Sequence, residues 1–157
     1  EQRLAAFRAV RDEIGRRFQE EGGEFGATTG RPRRCGWIDL VVIRQAVRVN
    51  GLTGLVLTKL DILSGLKTVR LCVGYRCRGR ILREMPGSLS VVTECEPVYE
   101  EMKGWEEPLS QVRGIKKLPL AAQRYLKKIE KEAGVPIVMD SVGPARDQHI
   151  FLKNPFD

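Results

Sequence analysis

Two short segments of the sequence carry residue types whose spacing suits chemistry. Thr58-Lys59-Leu60-Asp61 follows directly on the apolar run Leu55-Val56-Leu57. An aspartate in such a loop can accept two parallel hydrogen bonds, one from guanine N1–H and one from the 2-amino group. Adenine offers an acceptor at N1 and no 2-amino group, so the same carboxylate would face it unpaired. Leaving one member of a buried pair without its partner costs on the order of 3–5 kcal/mol. Lys59 can lay its alkyl stem under a base plane while its ammonium stays in water. The plainer reading of the same four residues is a strand end followed by a solvated ion pair. The second segment, residues 26–34, gathers Thr28, Thr29, Gly30, Arg31 and Arg33. Threonine hydroxyls, a glycine that lets backbone approach a ligand, and guanidinium forks together suit carboxylates or phosphates. Its plainer reading is a solvated basic turn before a helix.

Elements must hold these loops in place. Leu55 to Thr58 reads as a central parallel strand covered on both faces. Pro136 to Asp140 reads as a last buried strand running into the loop Ser141-Val142-Gly143-Pro144. Ligands of open α/β sheets lie beyond the carboxyl ends of the strands, so both loops are placed for binding. There Ser141 and Gly143 can supply donors or close backbone approach around guanine O6. Residues 3–21 carry Leu4, Phe7, Val10, Ile14 and Phe18 at spacings of three and four, which predicts an amphipathic helix ended by Gly22-Gly23. Trp37 to Val49 is apolar almost all round, which predicts a helix buried on several sides. Arg44 and Arg48 lie on one face of it, and ion pairing at the edge of the core is their expected role.

Farther along, Val69 to Arg76 and Arg80 to Glu84 suggest an antiparallel hairpin turning near Gly79. Met85 to Gly114 is interrupted by Pro86, Pro97 and Pro108 and reads as mostly loop with short extended pieces. Leu118 to Ala133 carries one apolar stripe, with Pro119 in its first turn and Gly134 after its end. Helices alternating with short apolar strands predict an α/β fold with a partial, mainly parallel sheet, flanking helices and an antiparallel hairpin.

Composition bounds the rest. The 157 residues fit one domain with a real core. The formal charge of +7 divides as +3, +2 and +2 over residues 1–50, 51–100 and 101–157, so no basic tail or block marks a nucleic-acid surface. No apolar run is long enough for a bilayer, and the charged first 21 residues lack a signal-peptide core. One histidine, and Cys35, Cys72, Cys77 and Cys95 without a C-x₂-C spacing, give no usual zinc ligand set. Reduced thiols in a cytoplasmic protein are expected, with Cys72 buried and inert.

The strings GGEFGATTGRPRRCGWIDLVVIRQAVRVNGLTGLVLTKLDIL (22–63), PVYEEMKGW (97–105), LPLAAQRYLKKIEKEAGVPI (118–137) and SVGPARDQ (141–148) resemble adenylosuccinate synthetases. That family couples IMP to L-aspartate at the expense of GTP. The resemblance implies that Ala27, Thr28, Thr29, Gly30, Arg31, Pro32 and Arg33 form an aspartate-binding loop. Within it, Arg31 would also contact IMP and Arg33 GTP. It further implies that Lys59, Leu60 and Asp61 select guanine, and that Ser141, Val142 and Gly143 form the second wall of that pocket. In the family GTP phosphorylates O6 of IMP, turning a poor leaving group into a good one, and the aspartate amine then displaces it; Mg²⁺ is required.

No G-D-E-G-K-G-K-like phosphate loop occurs here, and the family's catalytic aspartate and histidine are absent from this stretch. The resemblance therefore implies a C-terminal portion, residues 1–157 as a single domain, with no catalytic or metal-binding residue of its own. The Mg²⁺ site would lie elsewhere, and the chain would be inactive alone. Ala145 and His149 stand where aspartate and threonine are expected, and His149 reads as structural or surface. A homodimer is expected for the full-length enzyme. The alternative to an enzyme part is a non-enzymatic guanine-nucleotide-binding or assembly module.

Overall fold

A computed structural model of the chain describes residues 14–153. It divides into two compact units, Glu1–Ile38 and Asp39–Asp157. In the first, residues 14–20 are helical (α1) and end in a turn at 21–22; the part of the expected helix over residues 3–13 lies outside the described residues. Of the expected apolar stripe, Ile14 is buried at 2% exposure and Phe18 is half-buried.

The second unit opens with Asp39, the last residue of the two-residue strand β1, Ile38–Asp39. Asp39 caps α2, Leu40–Asn50: its side chain accepts from the amides of Val41 and Val42, two of the donors that a helix start leaves without partners. The helix therefore begins three residues later than the apolar pattern suggests. It is also less enclosed than expected. Only Leu40 and Val41 are buried, while Val42 and Val49 are exposed. Arg44 ties the helix to its surroundings, reaching Glu132 at 3.3 Å and the carbonyls of Val73 and Arg83 at 3.0 and 2.8 Å. Arg44 thus serves the ion-pairing role at the core edge expected of it, whereas Arg48 pairs with Glu84 at 3.5 Å out in solvent, both side chains being mostly exposed.

β3, Thr68–Cys77, is the long strand of an antiparallel sheet. It pairs with β4, Arg80–Leu82, through a tight turn in which Arg78 and Gly79 both have positive φ, the geometry of a two-residue hairpin. It also pairs with β5, Glu96–Lys103, which follows the short helix α3, Leu89–Thr93. The broken pattern over Met85 to Gly114 predicts mostly loop, and β5 is a correction to that expectation. Among the described residues it pairs with β3 alone, and it faces solvent with Glu96, Pro97, Glu100, Glu101 and Lys103, so no clean apolar alternation appears. Val41, Cys72 and Tyr75 form a core cluster against which Met85, Cys95 and Tyr99 pack. Burial, with Asp39 nearby, pushes the Cys72 thiol up to about 11, so it is protonated and unreactive at neutral pH.

A second sheet carries the two loops of interest. β2, Leu55–Leu57, runs parallel to β6, Ile137–Ser141, and β7, His149–Phe151, returns antiparallel on the far side of β6. The fold is α/β as expected, but the expectation of a mainly parallel sheet is corrected: β2–β6 is a parallel pair, whereas β3–β4, β3–β5 and β6–β7 are antiparallel. α4, Leu120–Ala133, starts just after Pro119 and buries Ala122, Tyr125, Leu126, Ile129 and Ala133. Its last turn is tied to β6, since Glu130 accepts the Ile137 amide at 2.8 Å. β2 departs from the expected central strand covered on both faces: among the described residues it lies at the sheet edge, and Val56 is 54% exposed. None of the described helices is long and apolar enough to cross a membrane.

Candidate functional site

Because β2 and β6 are parallel neighbours, with Leu57 opposite Asp140, the segments that leave their carboxyl ends emerge side by side. The chain leaves β2 through Lys59, which takes a left-handed conformation with φ 64° and ψ 34°. Such a conformation is uncommon for a residue with a side chain and persists where its surroundings enforce it. Two constraints do so here. The Lys59 amide donates to Ser141 Oγ at 3.0 Å, joining the two segments. The following 3₁₀ turn, Leu60–Leu63, buries Leu60, Ile62 and Leu63. Asp61 is thus presented, half-buried, from a turn whose apolar residues are fixed in the core.

The opposite wall is equally determined. Ser141 and Val142 are 5% and 0% exposed, and the Val142 amide donates to the Gln148 carbonyl at 2.9 Å. Gly143 sits against the Gln148 side chain; a β-carbon there would come 2.2 Å from its Oε1. Gln148 has little freedom to retreat, because Oε1 accepts the Ala145 amide at 3.0 Å and Nε2 donates to the Ser110 carbonyl at 3.0 Å. Gly143→Ala is therefore expected to cost about 1–3 kcal/mol and to displace the 141–143 segment, read as a lower melting temperature. Ala145 and His149 belong to this scaffold. The first offers its amide to Gln148, and the His149 ring bonds the Arg146 carbonyl through Nδ1 at 2.9 Å.

Behind Ser141 lies a group that motif reasoning does not single out. Asp140 is 0% exposed, and neither of its carboxylate oxygens makes a well-formed hydrogen bond among the described residues, the Ser141 amide offering at best a poorly aligned one. Burial raises its pKa to about 7; the Ser141 amide opposes the shift, and the Asp61 carboxylate adds to it. The signal available in the sequence is a carboxylate at the end of the apolar run Ile137-Val138-Met139.

Residues 27–34 lie in the first unit and are exposed. Phe25 and Pro32 form an isolated antiparallel bridge, and the Gly26 amide donates to the Arg31 carbonyl at 2.8 Å, closing the loop at its base. Gly30, at φ 62°, makes the tip, where its amide donates to the Gly26 carbonyl. Thr28, Thr29 and Arg31 thus project from one compact turn. Arg33 pairs with Glu24 at 3.0 Å, an exposed ion pair of the kind worth at most about 1 kcal/mol and readily exchanged for a ligand. Lys59, Leu60, Asp61, Ser141, Val142 and Gly143 are brought together within the second unit.

A sequence profile described as adenylosuccinate synthetase matches residues 5–150. The chain belongs to the adenylosuccinate synthetase family. It is 54% identical to the adenylosuccinate synthetase of Geotalea daltonii over 148 residues, covering 94% of this chain and 34% of that protein. It is 55% identical to the enzyme of Trichlorobacter lovleyi over 145 residues, covering 92% of this chain and again 34% of that protein. A structure of fully ligated adenylosuccinate synthetase from Plasmodium falciparum superposes with a TM-score of 0.85 at 39% identity, over 90% of this chain and 34% of the other. The chain thus spans about a third of the length of the synthetases it matches. Among the described residues no group of three or more His, Cys, Asp or Glu side chains could hold a metal ion.

Proposed function

We propose that this chain is the aspartate- and guanine-recognising part of an adenylosuccinate synthetase, the ligase that joins IMP and L-aspartate using GTP in purine nucleotide biosynthesis. The observation that carries the reading is the hydrogen bond from the Lys59 amide to Ser141 Oγ, which assembles the two strand-end segments into one wall around Asp61. Asp61 accepts guanine N1–H and N2–H, Lys59 runs its stem along the base, and Ser141 to Gly143 close on the O6 edge. Thr28, Thr29 and Arg31 hold the carboxylates of L-aspartate; Arg31 also reaches IMP, and Arg33, released from Glu24, reaches GTP. All of these act by positioning and charge neutralisation, which is what phosphoryl transfer to O6 and its displacement by an amine require. The phosphate-binding and proton-transferring groups, and Mg²⁺, belong to the remainder of the enzyme, and the chain by itself turns nothing over.

Calorimetry with GDP and ADP tests this directly. The chain is expected to prefer GDP, and Asp61→Asn to reduce that preference by about a hundredfold, since two hydrogen bonds to a charged acceptor are degraded at once. An asparagine presents one acceptor oxygen and a clashing NH₂. Equal affinity of the unsubstituted chain for the two nucleotides would remove the guanine assignment.

A further inference from the structure

Two of the four cysteines are set against each other by the antiparallel pairing of β3 with β5. The paired register ends at Arg76 opposite Glu96. One step on, Cys77 and Cys95 take the next opposed positions, and one step further the Arg78 guanidinium holds Glu94 with two hydrogen bonds, both at 2.7 Å. Backbone pairing on one side and a two-pronged ion pair on the other thus fix the same register around the two thiols. Directly opposed residues of an antiparallel pair share a face, and the sulfurs do converge. Cys95 Sγ donates to the Val91 carbonyl oxygen at 3.1 Å, and Cys77 Sγ lies 3.9 Å from the same oxygen.

That placement suits a disulfide. Opposed α-carbons of antiparallel strands lie about 4.5 or 5.5 Å apart, and a disulfide spans about 4.4–6.8 Å. The other two cysteines are placed differently: Cys72 lies opposite Tyr99 and bonds the Gly74 carbonyl, and Cys35 belongs to the first unit. Access to the pair is unequal, Cys77 being 6% exposed and Cys95 half-buried. Cys95 is therefore the thiol that a small reagent meets first. Burial, and then the Cys77 thiol beside it, raise the Cys95 pKa, so exchange at neutral pH is slow. Geometry favours the closed product and not a fast reaction.

We propose that Cys77 and Cys95 form a dithiol modification site, closed to an internal disulfide by a low-molecular-weight disulfide of the glutathione type. The Cys95 thiolate, its proton given to water, attacks one sulfur of the small disulfide, breaking that S–S bond and expelling one small thiolate. The Cys77 thiolate then attacks Cys95 Sγ, forming the internal bond and expelling the second. The protein dithiol loses two electrons and two protons, and the small disulfide gains both as two thiols. Closure ties the end of β3 to the start of β5 across residues 78–94, the stretch that carries β4 and α3. The site stands on the β3–β5 pairing and is independent of the nucleotide assignment.

In the test, the unsubstituted chain is equilibrated in mixtures of oxidised and reduced glutathione, quenched in acid, alkylated and mapped by mass spectrometry after digestion. The expected product is lighter by two hydrogens, with the Cys77 and Cys95 peptides joined and Cys35 and Cys72 outside any internal bridge. Its melting temperature should exceed that of the reduced chain by roughly 5–10 °C, because the bridge restricts the unfolded state. In Cys77→Ser, Cys95 should stop at the mixed disulfide with glutathione and that rise should vanish. The map of the unsubstituted chain decides the matter even if the variant folds poorly. No internal bridge in oxidised glutathione, a bridge between any other two cysteines, or an oxidised chain no more stable than the reduced one would overturn the proposal.

Discussion

Replacing Asp140 by asparagine is expected to stabilise the chain by several kcal/mol at pH 8 and by almost nothing near pH 4. The carboxyl is fully buried, without a well-formed hydrogen bond among the described residues, and its pKa is raised to about 7 by burial and by Asp61. In the unfolded chain an aspartate titrates near 4. Between those values the folded chain holds a proton that the unfolded chain has lost, so stability falls as pH rises from about 4 to 7 and is level above that. The whole displacement corresponds to at most about 4 kcal/mol. The amide that Asp140→Asn introduces does not titrate, so the difference between the two proteins should open through this window and close below it. Asp140→Val, apolar beside Leu57 and Ile150, should behave alike. Urea melts at pH 4.5, 6, 7 and 8 give the measurement. If the two stabilities run parallel across that range, Asp140 does not carry the buried charge assigned to it. The Tyr125 hydroxyl, pushed above its usual range by burial and then by Asp140, stays neutral throughout and does not alter the sign.

The elements most legible in the sequence are those whose burial is one-sided and regular. α4 shows this: a single stripe from Leu118 to Ala133 meets the core, and Gly134 leaves it in the left-handed conformation, with its amide on the Glu130 carbonyl. The hairpin near Gly79 is visible for a similar reason, since the turn needs positive φ at both central residues and glycine supplies one of them. β5 is hidden because a strand that shows charges to water has no period to detect. The start of α2 is misplaced by the apolar pattern because Asp39 looks like an interruption of the run. Its carboxylate in fact ends the strand, caps the helix and accepts the Tyr75 hydroxyl at 2.5 Å.

The candidate site divides along the same line. That Thr58–Asp61 and Ser141–Pro144 follow apolar strands can be read directly, and the parallel pairing of β2 and β6 makes them neighbours. The left-handed backbone at Lys59 cannot be read, because no local rule asks for it at a lysine; it is imposed by the buried Leu60 and by Ser141, 82 positions away. Gln148 escapes notice for the same reason. Its importance lies in what it touches, Gly143 and the Ser110 carbonyl, and not in its type.

Gly104→Ala is expected to be among the most damaging small substitutions in the second unit. Gly104 follows β5 directly, and a β-carbon on it would come 1.9 Å from the Leu66 carbonyl oxygen and 2.9 Å from its carbon. The obstacle is backbone, so no rotamer change relieves it. Nor can the two segments draw apart cheaply: the Gly104 amide donates to the Lys67 carbonyl at 2.9 Å, and the Gly65 amide to the Trp105 carbonyl at 2.8 Å. Relief would break one or both bonds and move Trp105, which is 2% exposed, donates from Nε1 to Ser64 at 3.3 Å, and has its ring centre 5.9 Å from that of Tyr125. Overpacking that only rotamers can absorb costs about 1–3 kcal/mol; a backbone clash with two hydrogen bonds at stake belongs at or above the top of that range. For a chain of this size that is a fall in melting temperature of about 6–12 °C. Tryptophan fluorescence should shift to longer wavelength before the global transition, as Trp105 meets water. Gly87→Ala supplies the control, since nothing lies within 4 Å of its added carbon. If both alanines melt with the unsubstituted chain, the contact between Gly104 and Leu66 does not set the geometry there. Because Ser64 follows the Leu60–Leu63 turn directly, the damage should also reach Asp61, and Gly104→Ala should weaken the GDP binding proposed for that segment from a distance.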